Sequence, residues 1–312
     1  MKVIKRYETW SRYQGSNWNY EHAIKYILQL RDNNMVEVGC FTHFNNKKIV
    51  KNVIELPSSL GCPMRCRFCA STSIPSIRTL SSDEELLIFN YIYQNEILHL
   101  HQPLVVSFTG IGDLFFTLDT VEKAILDIGN IHTDLQFTVS SCHWTDKMFK
   151  RIERLYEKKV FRAIQITYIS FGKNILHKAI DYYKLHLTDT FSFDSTINFI
   201  KESPIPYYRI NYLLLNGLND SREDFLAFLS SVAPIKDKIL VRISKLNITK
   251  ASIANKISVS TLAKMKELKA LLEENGVCAY LFYAVEDDGI GCGQLLTETY
   301  NQECNELKML HS

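Results

Sequence analysis

The chain has 312 residues, of which 46% are apolar and 22% charged, the balance of a globular protein able to bury a real core. Its 36 basic residues face 34 acidic ones, a net charge of +2, so it lacks the basic excess that marks a dedicated nucleic-acid binder. The opening MKVIKRYETWSRYQGSNW has no apolar core of a signal peptide, and no run approaches the roughly 18 apolar residues of a membrane-spanning helix. A cytoplasmic protein with no membrane partner is expected, and in that compartment clustered thiols serve metals or catalysis rather than disulfides.

In chain order, residues 1–50 read as a helix over 20–30 (YEHAIKYILQL) and a strand over 35–44 (MVEVGCFTHF). Apolar, β-branched stretches then predict strands at 52–57, 104–108, 135–139, 163–169, 209–215 and 238–243. Helical patterns fall near 83–98, 118–129, 145–158, 173–185, 221–232 and 259–275. The first of these helices opens on Ser82 and Glu85 in a capping-box spacing. A last strand is expected at 277–284, before a polar loop. Strands alternating with helices imply βαβ units and a parallel sheet. Six such units fit an α/β fold built as a partial (β/α)6 TIM-like barrel, with a short N-terminal α+β extension and a C-terminal strand and loop. The expected divisions are an extension over 1–50, a core over 51–297 and a tail over 298–312.

The stretch SSLGCPMRCRFCAST (58–72) places Cys62, Cys66 and Cys69 at spacings of four and three. A structural zinc site closes with four ligands, but Cys40, Cys142, Cys278, Cys292 and Cys304 are scattered. An iron–sulfur cubane held by three thiolates keeps one iron open, and an open position is what a catalytic metal site retains. The cysteines follow a strand, and in such folds catalytic groups sit at the C-terminal strand ends.

CxxxCxxC with Phe68 before its last cysteine, set in this strand–helix pattern, resembles the radical S-adenosylmethionine (SAM) enzymes. Over residues 50–297 the resemblance narrows to the Cfr/RlmN-like family, which methylates an adenine of ribosomal RNA. It implies a [4Fe–4S] cluster on Cys62, Cys66 and Cys69 whose unique iron binds SAM. It also implies an electron donor such as flavodoxin or ferredoxin, and cleavage of SAM to a 5′-deoxyadenosyl radical. By the same resemblance TGIGDLF (109–115) brings Gly110, Gly112 and Asp113 against the SAM amino group, although Gly-x-Gly after a strand is often only a turn. FTVSSC (137–142) points to Ser140, QITYIS (165–170) to Thr167 and ISKLNIT to Asn247 as SAM contacts. LNGLNDS (215–221) also matches, and reads equally well as a turn plus helix cap. EDDGIGCGQL (286–295) puts Cys292 on the family's methylated cysteine. One SAM methylates that thiolate, and a second yields the radical that takes hydrogen from the S-methyl group. The methylene radical then adds to an sp2 carbon. Gly289, Gly291 and Gly293 would let such a loop move.

The largest departure is Glu55, which stands where the family has a second cysteine that takes a proton from the adduct and resolves it through a disulfide. A buried carboxylate can act as a base but forms no disulfide. The alternative is an exposed strand-end carboxylate. Cys142 or Cys40 is a candidate replacement thiol, with small packing residue as the alternative for Cys142. Only 61 residues precede Cys62, fewer than in the ribosomal enzymes with their RNA-contacting N-terminal domain. RNA thus remains a candidate substrate that charge does not indicate. Lys147, Lys150, Arg151, Arg154 and Lys158 form a basic helical stripe, which either meets phosphates or is the solvated side of an outer helix. His143 reads as structural. The sequence reading is a methyltransferase acting through Cys292 on RNA or a smaller molecule. Its alternatives are a radical SAM enzyme of another reaction type on a small molecule or peptide, and a non-catalytic iron–sulfur or RNA-binding module.

Overall fold

A computed structural model describes residues 1–15, 17–96, 102–159, 161–170, 173–182, 193–285 and 291–300. Ten strands close into one barrel: β1 (Lys2–Gln14), β2 (Tyr20–Gln29), β3 (Met35–Asn45), β4 (Lys48–Glu55), β5 (Leu104–Phe108), β6 (Leu135–Ser141), β7 (Phe161–Tyr168), β8 (Tyr208–Leu214), β9 (Ile239–Lys245) and β10 (Ala279–Ala284). From β4 to β10 neighbours are parallel, and β1 to β4 form an antiparallel meander. The ring shuts where Tyr13 and Gln14 pair antiparallel with Ala284 and Tyr283.

Helices connect the strands or follow them: α1 (Ser82–Asn95), α2 (Leu114–Ile131), α3 (Asp146–Tyr156), α4 (Lys173–Ala179), α5 (Phe193–Glu202), α6 (Arg222–Val232), α7 (Lys250–Ala254) and α8 (Leu262–Glu274), and residues 294–300 are helical as well. None is long and apolar enough to cross a membrane. The main core lies between the helices and the outer face of the strands. Ile54, Val106, Phe137, Ile166, Tyr212 and Ile243 supply its sheet side, and Phe89, Ile125, Ile152, Phe228 and Leu268 its helix side. Side chains alternate across each strand, so the residues between them face the lumen. On β4 these are Lys51, Val53 and Glu55; on β8 they are Arg209, Asn211 and Leu213.

Two expectations need correction. The barrel is closed with ten strands rather than a partial (β/α)6 sheet, because residues 2–45 add three strands to it. The helix expected over 20–30 is strand β2. Ala, Lys, Leu, Gln and Glu favour helices, but β2 is paired along its whole length with β1 and β3. Its alternation also serves two environments: Ile24, Tyr26 and Leu28 enter the outer core, while Glu21 and Lys25 line the lumen. Pairing and burial of this kind override local preference.

The capping box of α1 lies one residue earlier than expected. Ser81 Oγ accepts from Glu84 N at 3.2 Å, and Glu84 Oε2 accepts from Ser81 N at 2.8 Å. Ser82 and Glu85 are buried instead. Of the helix expected over 173–185, the last three residues lie outside the described residues, as do Gly289 and Cys304.

Candidate active site

A cavity of about 470 Å³ runs through the lumen. Every residue singled out for the site lines it: Glu55, Cys62, Cys66, Phe68, Cys69, Gly110, Gly112, Asp113, Ser140, Thr167, Asn247 and Cys292. They come from β4, β6 and β7, from the loops after β4, β5 and β9, and from the segment after β10.

The cysteine loop is pinned from both sides. Arg67 N donates to Ala179 O at 2.9 Å and Tyr182 N to Met64 O at 3.1 Å, while Arg67 Nε reaches Asp181 Oδ1 at 2.6 Å. Thr249 Oγ1 donates to Phe68 O at 2.9 Å, and Asn255 Nδ2 to Arg67 O at 3.0 Å. Cys62, Cys66 and Cys69 are free thiols, each partly buried. Burial pushes the Cys62 thiol well up, aided by the Asp113 carboxylate, and burial raises Cys69 as well. Among the described residues no three His, Cys, Asp or Glu side chains are grouped to hold a metal ion. Three thiols on one loop face the cavity, and thiolate sulfur is the donor that iron–sulfur clusters take.

The Gly-x-Gly turn packs directly onto this loop. A Cβ on Gly110 would lie 2.7 Å from Leu56 O. Gly112 has φ +119°, and its α-carbon faces the Ser58 and Ser59 hydroxyls, so a side chain has neither a conformation nor space there. Asp113 caps α2 by accepting from Phe115 N at 2.9 Å. It also accepts from Ser141 Oγ at 2.5 Å, Cys142 N at 3.0 Å and the Cys142 thiol at 3.3 Å. A carboxylate has about four acceptor sites, so Asp113 as arranged here braces the turn to β6. Ser140 Oγ accepts from Gln165 Nε2 at 3.0 Å.

Cys292 sits opposite. Its thiol is pushed well up by burial, then by the Glu55 and Glu37 carboxylates, with the Lys25 ammonium opposing them. Glu55 is partly buried and faces the lumen, accepting from Thr109 Oγ1 at 3.0 Å. It is therefore not an exposed strand-end group, and burial pushes its carboxyl up while Lys25 pulls it down. Lys25 falls in the stretch over 20–30 whose local pattern is helical, and Glu37 falls in the strand expected over 35–44, where nothing local says which face it takes. Glu37 accepts from Gly293 N at 2.9 Å and Leu296 N at 3.0 Å, fastening the Cys292 segment to β3.

The two candidate replacement thiols are placed differently: Cys142 lines the same cavity as Cys292, and Cys40 does not. Cys40 packs in the outer core, and burial pushes it up to about 12. Cys142 is hydrogen-bonded to Cys66 and Asp113. LNGLNDS forms a turn and cap: Asn219 Oδ1 accepts from Leu215 N at 2.7 Å, and Ser221 and Asp224 make a capping box. On α3, Arg151 pairs with Asp119 and Glu122, Lys150 and Arg154 are exposed, and Met148, Ile152 and Leu155 are buried. His143 is buried against Phe115, ring centroids 4.3 Å apart.

No family model matches the chain. It is 22% identical over 284 residues to a probable dual-specificity RNA methyltransferase RlmN of Aquifex aeolicus, covering 88% of this chain and 77% of that one. It is 24% identical over 288 residues to the corresponding Caldicellulosiruptor saccharolyticus protein, covering 89% and 77%. With the RlmN of Lawsonia intracellularis identity is 26% over 230 residues, covering 69% and 60%. A crystal structure of a radical SAM methyltransferase from Sphaerobacter thermophilus shares the fold, with a TM-score of 0.68 at 16% identity over 92% of this chain and 80% of that one. Sequence likeness across most of the barrel and a shared fold agree: this chain is a divergent relative of the RlmN-type radical SAM methyltransferases.

Proposed function

We propose that the chain is a radical SAM methyltransferase that works through Cys292, with a [4Fe–4S] cluster held by Cys62, Cys66 and Cys69. The observation that carries this reading is the meeting of the cysteine loop, the Gly110–Asp113 turn and Cys292 around one cavity. When bound, the cluster would supply the electron that cleaves SAM, and SAM the methyl group. Phe68, Gly110, Gly112, Ser140, Thr167 and Asn247 line the space a SAM molecule would occupy, and the two glycines let the turn pack against Leu56, Ser58 and Ser59.

The Cys292 thiol must lose its proton to act as a nucleophile. Lys25 is the cation that favours the thiolate, and Glu55 is the nearby carboxylate able to receive a proton. Glu55 can equally take the proton that leaves the substrate carbon once a bond has formed there. Burial raises its pKa, which makes it a stronger proton acceptor than a solvated carboxylate. With Cys40 in the outer core, Cys142, which lines the same cavity as Cys292, is the thiol left to resolve the adduct and release the product.

The test is mass spectrometry of the peptide containing Cys292, from anaerobically purified, cluster-loaded protein and from Cys62→Ala. A methyl group on Cys292 in the first and not in the second is expected. An unmodified Cys292 in protein that cleaves SAM would leave a radical SAM enzyme of another reaction type, the reading that Glu55 in place of a cysteine favours.

A further inference from the structure

The part of the cavity away from the cysteines is built from groups the methyl-transfer chemistry does not use. Lys51 on β4, Arg162 on β7, Arg209 on β8 and Arg242 on β9 all line it. In the ring β4 stands several strands from β8 and β9, so these cations meet from different walls. None of the four forms an ion pair with a carboxylate among the described residues. The acid on this side, Glu21, is engaged with His43 Nε2 at 2.9 Å.

Arg209 Nε is buried with no hydrogen-bond partner. Arg242 is held in place rather than neutralised: its Nε donates to Ser244 Oγ at 3.1 Å and one Nη to Gln165 Oε1 at 3.3 Å. Its guanidinium lies over the Phe282 ring, 3.4 Å from the centroid. Arg162 is exposed and marks the solvent edge of the group. Burial and the three guanidinium groups together pull Lys51 down to about 7. Collecting uncompensated cations inside a barrel costs several kcal/mol, and the closed sheet does not require it.

We propose that Lys51, Arg162, Arg209 and Arg242 bind the terminal phosphate of a small-molecule substrate that lies along the lumen with its reacting carbon toward Cys292. Guanidinium forks match phosphate oxygens, and several cations around one site suit a dianion better than a single carboxylate. The spacing fits. Arg209 to Leu213, like Lys51 to Glu55, is four residues of strand, about 13 Å at about 3.3 Å per residue. That is the reach of a nucleotide-sized molecule. An internal phosphodiester of a long RNA at this depth would require the strand to thread a closed barrel, whereas a terminal phosphate does not. The position of the reacting carbon rests on the function proposed above; the anion site does not.

The test is calorimetric titration of the full-length, cluster-loaded protein with inorganic pyrophosphate, inorganic phosphate and acetate. The variants are Arg209→Gln and Lys51→Gln, with Arg154→Gln on exposed α3 as the control for lost charge. Pyrophosphate and phosphate should bind, and acetate should bind at least about tenfold more weakly. Arg209→Gln and Lys51→Gln should each weaken phosphate binding by about tenfold or more, and Arg154→Gln should leave it unchanged. Wild-type protein that binds neither phosphate overturns the proposal. So does a loss shared by Arg154→Gln, or folded Arg209→Gln and Lys51→Gln proteins that bind as wild type. Tight binding of a 5′-hydroxyl oligoribonucleotide without phosphate binding overturns it in favour of RNA. Cys292 methylation, read separately in the wild type, distinguishes failures: phosphate binding without methylation sinks only the methyltransferase reading, and methylation without phosphate binding sinks only this one.

Discussion

Lys25 Nζ lies 2.7 Å from Glu37 Oε1, and each side chain is only 3% exposed. Because Glu37 also accepts from Gly293 N and Leu296 N, this pair ties β2 and β3 to the segment that carries Cys292. Removing one partner of a buried pair costs about 3–5 kcal/mol, mostly from the charge left behind. Lys25→Met is therefore expected to lose about that much in urea denaturation. Lys25→Met/Glu37→Gln should lose less than Lys25→Met alone, since the amide carries no charge and still accepts one backbone N–H.

Glu85 on α1 is fully buried, and both carboxyl oxygens lack a hydrogen-bond partner. Burial lifts its pKa from 4.5 to about 9. The folded protein then keeps a proton that the unfolded chain releases above 4.5, so this residue's contribution is full below about pH 4.5 and is lost as pH rises toward about 9. At pH 7 the loss is about 3 kcal/mol. Glu85→Gln should be more stable than wild type at pH 8 and show a flatter stability profile between pH 5 and 9, measured by denaturant titration at each pH. Equal slopes would refute the assignment.

Cys142 and Cys66 are hydrogen-bonded, so a fourth thiol stands beside the proposed cluster ligands. Its bonds to Asp113 mark it as part of the turn rather than a ligand. Iron and sulfide per chain after anaerobic reconstitution should match wild type in Cys142→Ser. They should fall to near zero in Cys62→Ala, Cys66→Ala and Cys69→Ala. Loss of iron in Cys142→Ser would make it a ligand.

Asp113→Ala removes the α2 cap, worth about 1 kcal/mol, and takes the acceptor from Cys142 N, at about 1–3 kcal/mol, while Ser141 Oγ keeps His143 O. Asp113→Asn keeps two acceptor sites and should recover part of this. Thermal denaturation of the two variants gives the order, and faster alkylation of Cys142 in Asp113→Ala would locate the damage at the turn.

Glu55→Gln preserves shape and the bond from Thr109 but abolishes proton acceptance. Turnover should drop by about 10²–10⁴-fold. If Glu55 takes the proton from the substrate carbon, the covalent adduct of substrate with the Cys292 methylene should then accumulate, which mass spectrometry of the same peptide reads. Unmethylated Cys292 would instead assign Glu55 to the thiol proton. Unchanged turnover would remove Glu55 from the proton path.

The fold was legible where burial is two-sided and local. β4 to β10 are continuous apolar stretches between helices, because each strand packs helices on its outer face, and seven of them were placed within a few residues. In the meander β3 and β4 were legible, and β1 and β2 were not. β1 has only one covered face, with most of its residues exposed or half-exposed, and β2 uses helix-favouring residues. Their strand state comes from partners up to the far end of the chain, as when Tyr13 meets Ala284.

By itself the sequence determined which chemistry is available: three closely spaced cysteines, a Gly-x-Gly-Asp turn, a distant CGQL cysteine, and Glu55 where the resemblance implies a cysteine. Those are matters of residue type and spacing, which no packing alters. Only the tertiary structure decided that β1 to β3 close the barrel and that Lys25 and Glu37 hold the Cys292 segment. It also decided that Cys40 faces the outer core and that Lys51, Arg162, Arg209 and Arg242 meet inside. The reason is geometric. Which face a strand residue presents depends on register with neighbours far away in sequence, and a charge placed inward carries no local mark that distinguishes it from one facing water.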